Sequence, residues 1–306
     1  MPDPSPASGS SLPGGSALPE PLEGIWPDAP EPLPHPVVDN HCHLDVRIRG
    51  GHRLTVEEAL ERSSAVGVPR IVQVGCDLPS SRWAVETASA HDQVVAAVAL
   101  HPNEAPLLEA DGTLDAALAE IDALAQHPQV RAVGETGLDY FRTGPDGRDA
   151  QHRSFREHVA IARRHDRTLV IHDRDAHDDV LRLLDEEGVP ERTVMHCFSG
   201  DADVARACLD RGAYLSFSGT VTFKNADPLR EALAVTPLDR VLVETDAPYL
   251  TPTPFRGRPN ASYLVPFTVR FMAEFLALPV IDLCRAIEAN TDRAFGGSWP
   301  LLTRTV

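Results

Sequence analysis

The chain has 306 residues, 42% hydrophobic and 24% charged, enough for one large core or two ordinary domains. Its formal net charge is -17, and of its 28 basic residues only Lys224 is a lysine. That balance excludes a broad basic surface gripping nucleic acid blindly and leaves room only for a local basic groove.

Residues 1–36 hold 11 of the 27 prolines and neither Lys nor Arg, so they do not read as the basic start of a secretory signal. They read as a disordered, acidic tail rich in Pro, Ser and Gly. The folded domain is expected over 37–306. No later stretch approaches ~18 uninterrupted apolar residues, so no membrane span is expected. Five cysteines, an odd number without a CxxC pair, argue for free thiols in a reducing compartment, and the expected location is cytoplasmic.

From residue 37 onward, β-rich runs alternate with helical patterns. The runs cover 37–40, 70–76, 94–100, 130–135, 168–172, 192–197, 213–218 and 240–245. Most are continuously apolar, the pattern of parallel strands buried on both faces. The fourth connection, about 148–166, spaces Phe155, Val159 and Ala162 as one face of an amphipathic helix. The stretches 55–67 and 201–212 each open on a capping residue and close on a glycine able to stop a helix. Eight such units in one uninterrupted region predict a (β/α)8 TIM barrel, which typically needs ~250 residues.

In that architecture chemistry sits at the carboxyl ends of the strands. The first run ends in His41 and His43, the fourth in Glu135, the fifth in His172, the sixth in His196, and the eighth in Glu244-Thr245-Asp246. Residues two apart on a strand share a side, which would put Asp39, His41 and His43 in one inward row. Four imidazoles and two carboxylates on one rim make a nitrogen and oxygen set that suits Zn, Mn or Fe, with donors enough for two ions. Glu135 is placed to bridge them. Asp246 can bind a metal, accept the proton of a water, or both.

These positions also carry a family resemblance. Asp39-Asn40-His41-Cys42-His43-Leu44-Asp45, Leu100-His101-Pro102, Gly134-Glu135-Thr136-Gly137-Leu138-Asp139-Tyr140, His196-Cys197-Phe198-Ser199-Gly200 and Glu244-Thr245-Asp246-Ala247-Pro248-Tyr249-Leu250 resemble the signatures of TatD-type metal-dependent deoxyribonucleases, in the order expected. Asn290-Thr291-Asp292-Arg293-Ala294-Phe295 resembles the family's carboxyl end. The resemblance implies a barrel of the metallo-dependent hydrolase superfamily in which His41, His43, Glu135, His172, His196 and Asp246 bind two divalent ions, Zn, Mn or Mg. It also implies hydrolysis of DNA phosphodiesters, in the manner of an exonuclease, with Asp246 and Glu135 as the catalytic carboxylates. His101 then corresponds to a residue near the substrate phosphate, and Arg174 matches an arginine able to face one. Read from the residues alone, His101 also suits an ordinary loop and Arg174 a surface salt bridge.

The acidic charge fits a small footprint on DNA ends or single strands better than long duplex binding. Oligomeric state is not written in the sequence, and a monomer is compatible with it. Tyr140, Asn260 and Tyr263 are candidate substrate contacts on loops. Asp39 is expected to orient a ligand histidine or to cap a turn, and Glu244 to support the site from below. Cys42 and Cys197 read as packing residues. Two positions depart from the family pattern: Asp173 adds a negative charge at the rim, and Ala261 removes a carboxylate from the loop after the eighth strand.

Other chemistries stay open. The same donors would serve an amidohydrolase or esterase acting on a small amide or aminoacyl ester, although Glu135 stands where many such enzymes carry a modified lysine. A barrel without catalysis, acting as a binding protein, is opposed by the presence of all six donors.

Overall fold

The computed structural model describes residues 26–46, 54–296 and 299. Eight strands lie in one parallel sheet in chain order: β1 (Val38–Cys42), β2 (Arg70–Val74), β3 (Val94–Val98), β4 (Val130–Asp139), β5 (Thr168–Arg174), β6 (Thr193–Met195), β7 (Tyr214–Phe217) and β8 (Val241–Val243). The sheet curls back on itself. Cys42 bridges to Ala247, the His43 N–H donates to the Ala247 carbonyl at 2.8 Å, and the Asp246 N–H donates to the His41 carbonyl at 2.9 Å. Asn40, buried in the same seam, donates to the Val243 carbonyl at 2.8 Å and accepts from the Thr291 hydroxyl at 3.0 Å. This is the (β/α)8 barrel that the eight alternating units predict.

Helices return each strand to the next, and their ends follow local chemistry. In α1 (Val56–Ala65), Thr55 and Glu58 form a reciprocal capping box, and the turn behind it ends at Gly67, whose φ of +87° suits glycine. The third crossover holds two helices, α2 (Ala105–Ala110) and α3 (Leu114–Leu124). The amphipathic fourth connection is α4 (Pro145–Arg164), which buries Phe155, Val159 and Ala162 as its spacing requires. A smaller apolar cluster, including Val38, Val72, Val95, Ala132, Val170, Val194 and Leu242, draws one or two residues from each strand. Strand alternation assigns it to the inside of the barrel, where it forms a packed floor beneath the polar layer at the strand ends.

The boundary expected at residue 37 needs correction. Residues 1–25 lie outside the described part, but 26–36 form an ordered strap. The Tyr263 hydroxyl donates to the Pro27 carbonyl at 2.7 Å, and Arg270 donates to the Glu31 and Pro32 carbonyls at 2.9 and 3.0 Å. The Leu33 N–H donates to the Val66 carbonyl at 3.0 Å. Tyr263, expected at a substrate, is buried as this anchor. Among the described residues no single helix is long and apolar enough to cross a membrane, and all five cysteines are free.

Candidate metal centre

β5, β6 and β8 deliver their polar residues by simple alternation. Val170, Val194 and Leu242 face the inner floor, and His172, His196 and Glu244 follow two residues later, with Asp246 two beyond that. β1 and β4 do not run so regularly. The β1–β2 register shifts between Asp39 and Cys42, and the β4–β5 register between Val133 and Thr136. The first shift takes Asp39 out of the row of His41 and His43. Its carboxylate accepts the Thr245 N–H at 2.8 Å and the Thr245 hydroxyl at 2.6 Å, so it ties β1 to the end of β8 instead of orienting an imidazole. Burial, resisted by these bonds, raises its pKa to about 6.

Glu135 occupies the middle of the remaining donors. Its Oε1 lies 2.6 Å from His172 Nδ1, 2.8 Å from His196 Nε2 and 3.4 Å from His101 Nε2. Its Oε2 lies 3.4 Å from His41 Nε2 and 3.7 Å from His43 Nε2. Asp246 closes the second group, with Oδ1 3.4 Å from His43 Nε2 and 3.9 Å from His41 Nε2. One carboxylate therefore serves two sets of imidazoles, one oxygen to each.

The tautomers this geometry imposes suit cations. His43 Nδ1 faces the Val74 carbonyl at 3.1 Å; a carbonyl only accepts, so Nδ1 carries the hydrogen and Nε2 keeps its lone pair. That lone pair points at His41 Nε2, 3.3 Å away, and at two carboxylates. His196 Nδ1 faces Glu244 at 3.1 Å, which likewise leaves Nε2 as the atom directed at Glu135. His41 Nδ1 is buried without a hydrogen-bond partner. Lone pairs and carboxylates converging in a buried space repel unless positive charge enters as protons or as metal ions.

The titration tendencies agree. Burial alone would raise the Glu135 carboxyl, yet the charges of His196 and His101, with hydrogen bonds from His101 and His172, hold it well below the usual range. Burial alone would lower His196, yet Glu135 and Glu244 push it well above the usual range. His41 moves the other way, because burial is joined by the neighbouring charge of His196. The donor set thus fits divalent metal, and the groups His41/Glu135/His196, His41/His43/Asp246 and His101/Glu135/His172 each bring their ligand atoms within 4.8 Å of one another.

Two residues near these donors escaped the sequence reading. Asp139 lies two alternations beyond Glu135, and its Oδ2 stands 3.4 Å from His172 Nε2. Burial would raise its carboxyl, but His172, the Arg142 N–H and Asn103 hold it far below the normal range. Continuing the period of two from Glu135 along β4 would have found it. Cys76, two residues beyond Val74, brings Sγ to 3.7 Å from Glu135 Oε2. It closes the second β-rich run, whose end the search for ionisable residues passed over.

The site opens into a cleft of about 630 Å³ lined in part by His101, Asn103, Arg142, Arg174, Thr220 and Tyr249. Arg174 is there as expected. Tyr140 is not among the lining residues, and its hydroxyl is spent on Asp179 at 2.6 Å and on His152. Asn260 is buried and donates to the carbonyls of Thr245 and Tyr249, so it braces the loop after β8. Asp173 lines the cleft with its carboxylate 2.6 Å from His177 Nδ1, and that bond raises the imidazole's pKa and balances the added charge. Ala261 lines a small apolar hollow with Trp26 of the strap and Pro248.

The sequence matches the family model described as TatD related DNase over residues 38–296. An uncharacterized metal-dependent hydrolase, TatD, from Mycobacterium tuberculosis is 44% identical over 267 residues, 86% of this chain and 99% of that protein. An uncharacterized metal-dependent hydrolase, YabD, from Bacillus subtilis is 39% identical over 84% of this chain and 98% of its own length. The crystal structure of YJJV, a TatD homologue from Escherichia coli, superimposes with a TM-score of 0.76 at 26% identity, covering 86% of this chain and 98% of that one.

Proposed function

The chain belongs to the TatD-related DNase family and is a metal-dependent hydrolase, and on that premise we propose that it hydrolyses phosphodiester bonds of DNA, at ends or in single strands. The observation that carries the reading is the Glu135 carboxylate, with one oxygen toward His172 and His196 and the other toward His41 and His43. Such a carboxylate holds two ions a short distance apart, the arrangement suited to displacement at phosphorus.

His41, His43 and Asp246 form one side of the site, His172 and His196 the other, and Glu135 joins them. Divalent ions bound there, Zn, Mn or Mg, supply Lewis acidity that neutralises phosphoryl oxygens and acidifies water. The protein supplies the rest. Asp246 is held ionised: burial would raise its carboxyl, but a hydrogen bond to His43 and the charges of His196, His41 and His43 lower it, so it can accept a proton from an attacking water. His101, at the cleft and 3.4 Å from Glu135, is placed to donate to a phosphoryl oxygen. Glu244 fixes the His196 ring by accepting from Nδ1 and is itself held by the Cys197 N–H at 2.8 Å. Amide chemistry on a modified lysine has less support, because Glu135 occupies the fourth strand and Lys224 lies outside the cleft lining.

Digestion of end-labelled single- and double-stranded DNA by metal-reconstituted wild type and Glu135→Ala tests the reading. Wild type shortens the label and the variant does not. Equal cleavage by both would point to a contaminating nuclease.

A further inference from the structure

Arg174 stands two residues beyond His172 on β5, so its side chain leaves the strand on the same side, roughly 6.6 Å farther along. It lines the cleft with His172. Its guanidinium carbon sits 3.8 Å from the centroid of the Phe141 ring. Among the described residues Arg174 has no ion-pair partner, in contrast to Arg82, Arg156, Arg182 and Arg211, which are spent on carboxylates. Stacking fixes a guanidinium by its flat face and leaves its in-plane N–H donors available, a geometry that presents them to an anion without first breaking an ion pair.

Phe141 needs its own explanation. It follows β4 directly and is 63% exposed, so the ring covers the arginine and still presents apolar surface to water beside the cleft. A large aromatic side chain left open next to a polar site is a surface suited to stacking. The cleft belongs to a chain of strong negative charge, so a phosphate arriving there needs a local cation.

We propose that Phe141 and Arg174 form one subsite that holds the nucleotide adjoining the scissile bond, the guanidinium taking its phosphate and the ring taking its unpaired base. A base still paired in a duplex is not free to lie on the ring, so the subsite favours frayed ends and single strands. This rests on the phosphodiester reading above and adds a particular pair of side chains to it.

The test removes the base and the ring separately and together. The metal-reconstituted protein is titrated with fluorescent single strands carrying phosphorothioate linkages to slow cleavage, with an abasic unit moved one position at a time across the scissile linkage. In the wild type, one adjoining abasic position weakens binding roughly five- to a hundredfold, the range of a single base stack. In Phe141→Ala the same unit costs less than about twofold, because the stack is already gone, and Phe141→Trp restores the base dependence. Arg174→Ala keeps the base dependence and loses its response to a methylphosphonate at the adjoining linkage. Losses that simply multiply, or a wild type indifferent to every abasic position, overturn the subsite while cleavage of DNA leaves the hydrolase reading intact. A wild type that neither binds nor cuts nucleic acid overturns both.

Discussion

The Asp139 carboxylate stands 3.4 Å from His172 Nε2, across the ring from the Nδ1 that faces Glu135 at 2.6 Å. A carboxylate behind a ligand imidazole fixes its ring and raises its basicity, and removing such a partner typically weakens metal binding ~10–100-fold. Asp139→Asn keeps the size and an acceptor for the Arg142 N–H, now at 2.8 Å. The variant is expected to fold normally and to bind metal ten to a hundred times more weakly in competition with a chelating dye. Wild-type affinity would remove Asp139 from the site.

Glu135 faces both imidazole groups, so its loss should act on both. Glu135→Gln preserves volume and removes the charge. Elemental analysis after reconstitution should find one ion or fewer per chain, and hydrolysis should fall at least ~100-fold, as for loss of a preorganised charge at a reacting centre. Stripping wild type with a chelator should give the same loss, reversed by added metal. Two tightly held ions in the variant would show that this carboxylate does not join the sites.

His158, buried on α4, accepts the Leu100 N–H at 3.0 Å and faces the Ser154 carbonyl with its other nitrogen at 2.7 Å. Burial lowers its pKa from 6.5 to about 4 against the opposing pull of that carbonyl. The unfolded chain then binds the proton more tightly than the folded one, so stability is complete above about pH 6.5 and is lost as the pH falls toward 4. The loss amounts to about 3 kcal/mol by linkage. His158→Gln should lack this component. The difference between metal-free wild type and variant in urea unfolding should change across that window, and a difference flat in pH would contradict it.

Much of the site was legible because a parallel strand alternates strictly. Val170 to His172, Val194 to His196 and Leu242 to Glu244 to Asp246 each follow the period of two from floor to rim. Asp39 was misplaced because a register shift between Asp39 and Cys42 moves side chains without leaving a mark in residue type. Asp139 was passed over because β4 runs on past Glu135. Tyr140 and Asn260 are polar loop residues, and the sequence cannot say whether such groups turn to solvent or inward. Here Asp179, Thr245 and Tyr249 supply partners from elsewhere in the chain.

The strap shows how composition can mislead about order, and it carries its own prediction. Proline-rich sequence without periodicity forms neither helix nor strand, yet 26–36 needs neither. Its carbonyls take donors from Tyr263 and Arg270, and Leu33, only 8% exposed, packs over the turn at Gly67, where an added Cβ would come within 3.2 Å of the Leu33 Cβ. Burying one leucine contributes about 1.5–3 kcal/mol and each net hydrogen bond about 0.5–1.5 kcal/mol. A chain beginning at Val37 should therefore be less stable than one beginning at Trp26 by about 3–5 kcal/mol, or roughly 10 °C in melting temperature for a domain of this size. Tyr263→Phe, which removes a single bond, should cost about 1 kcal/mol. Equal melting of the two truncated chains would show that the strap merely lies on the barrel. A loss confined to the shorter chain would make these eleven residues part of the fold, closing the apolar hollow behind His43 with Trp26.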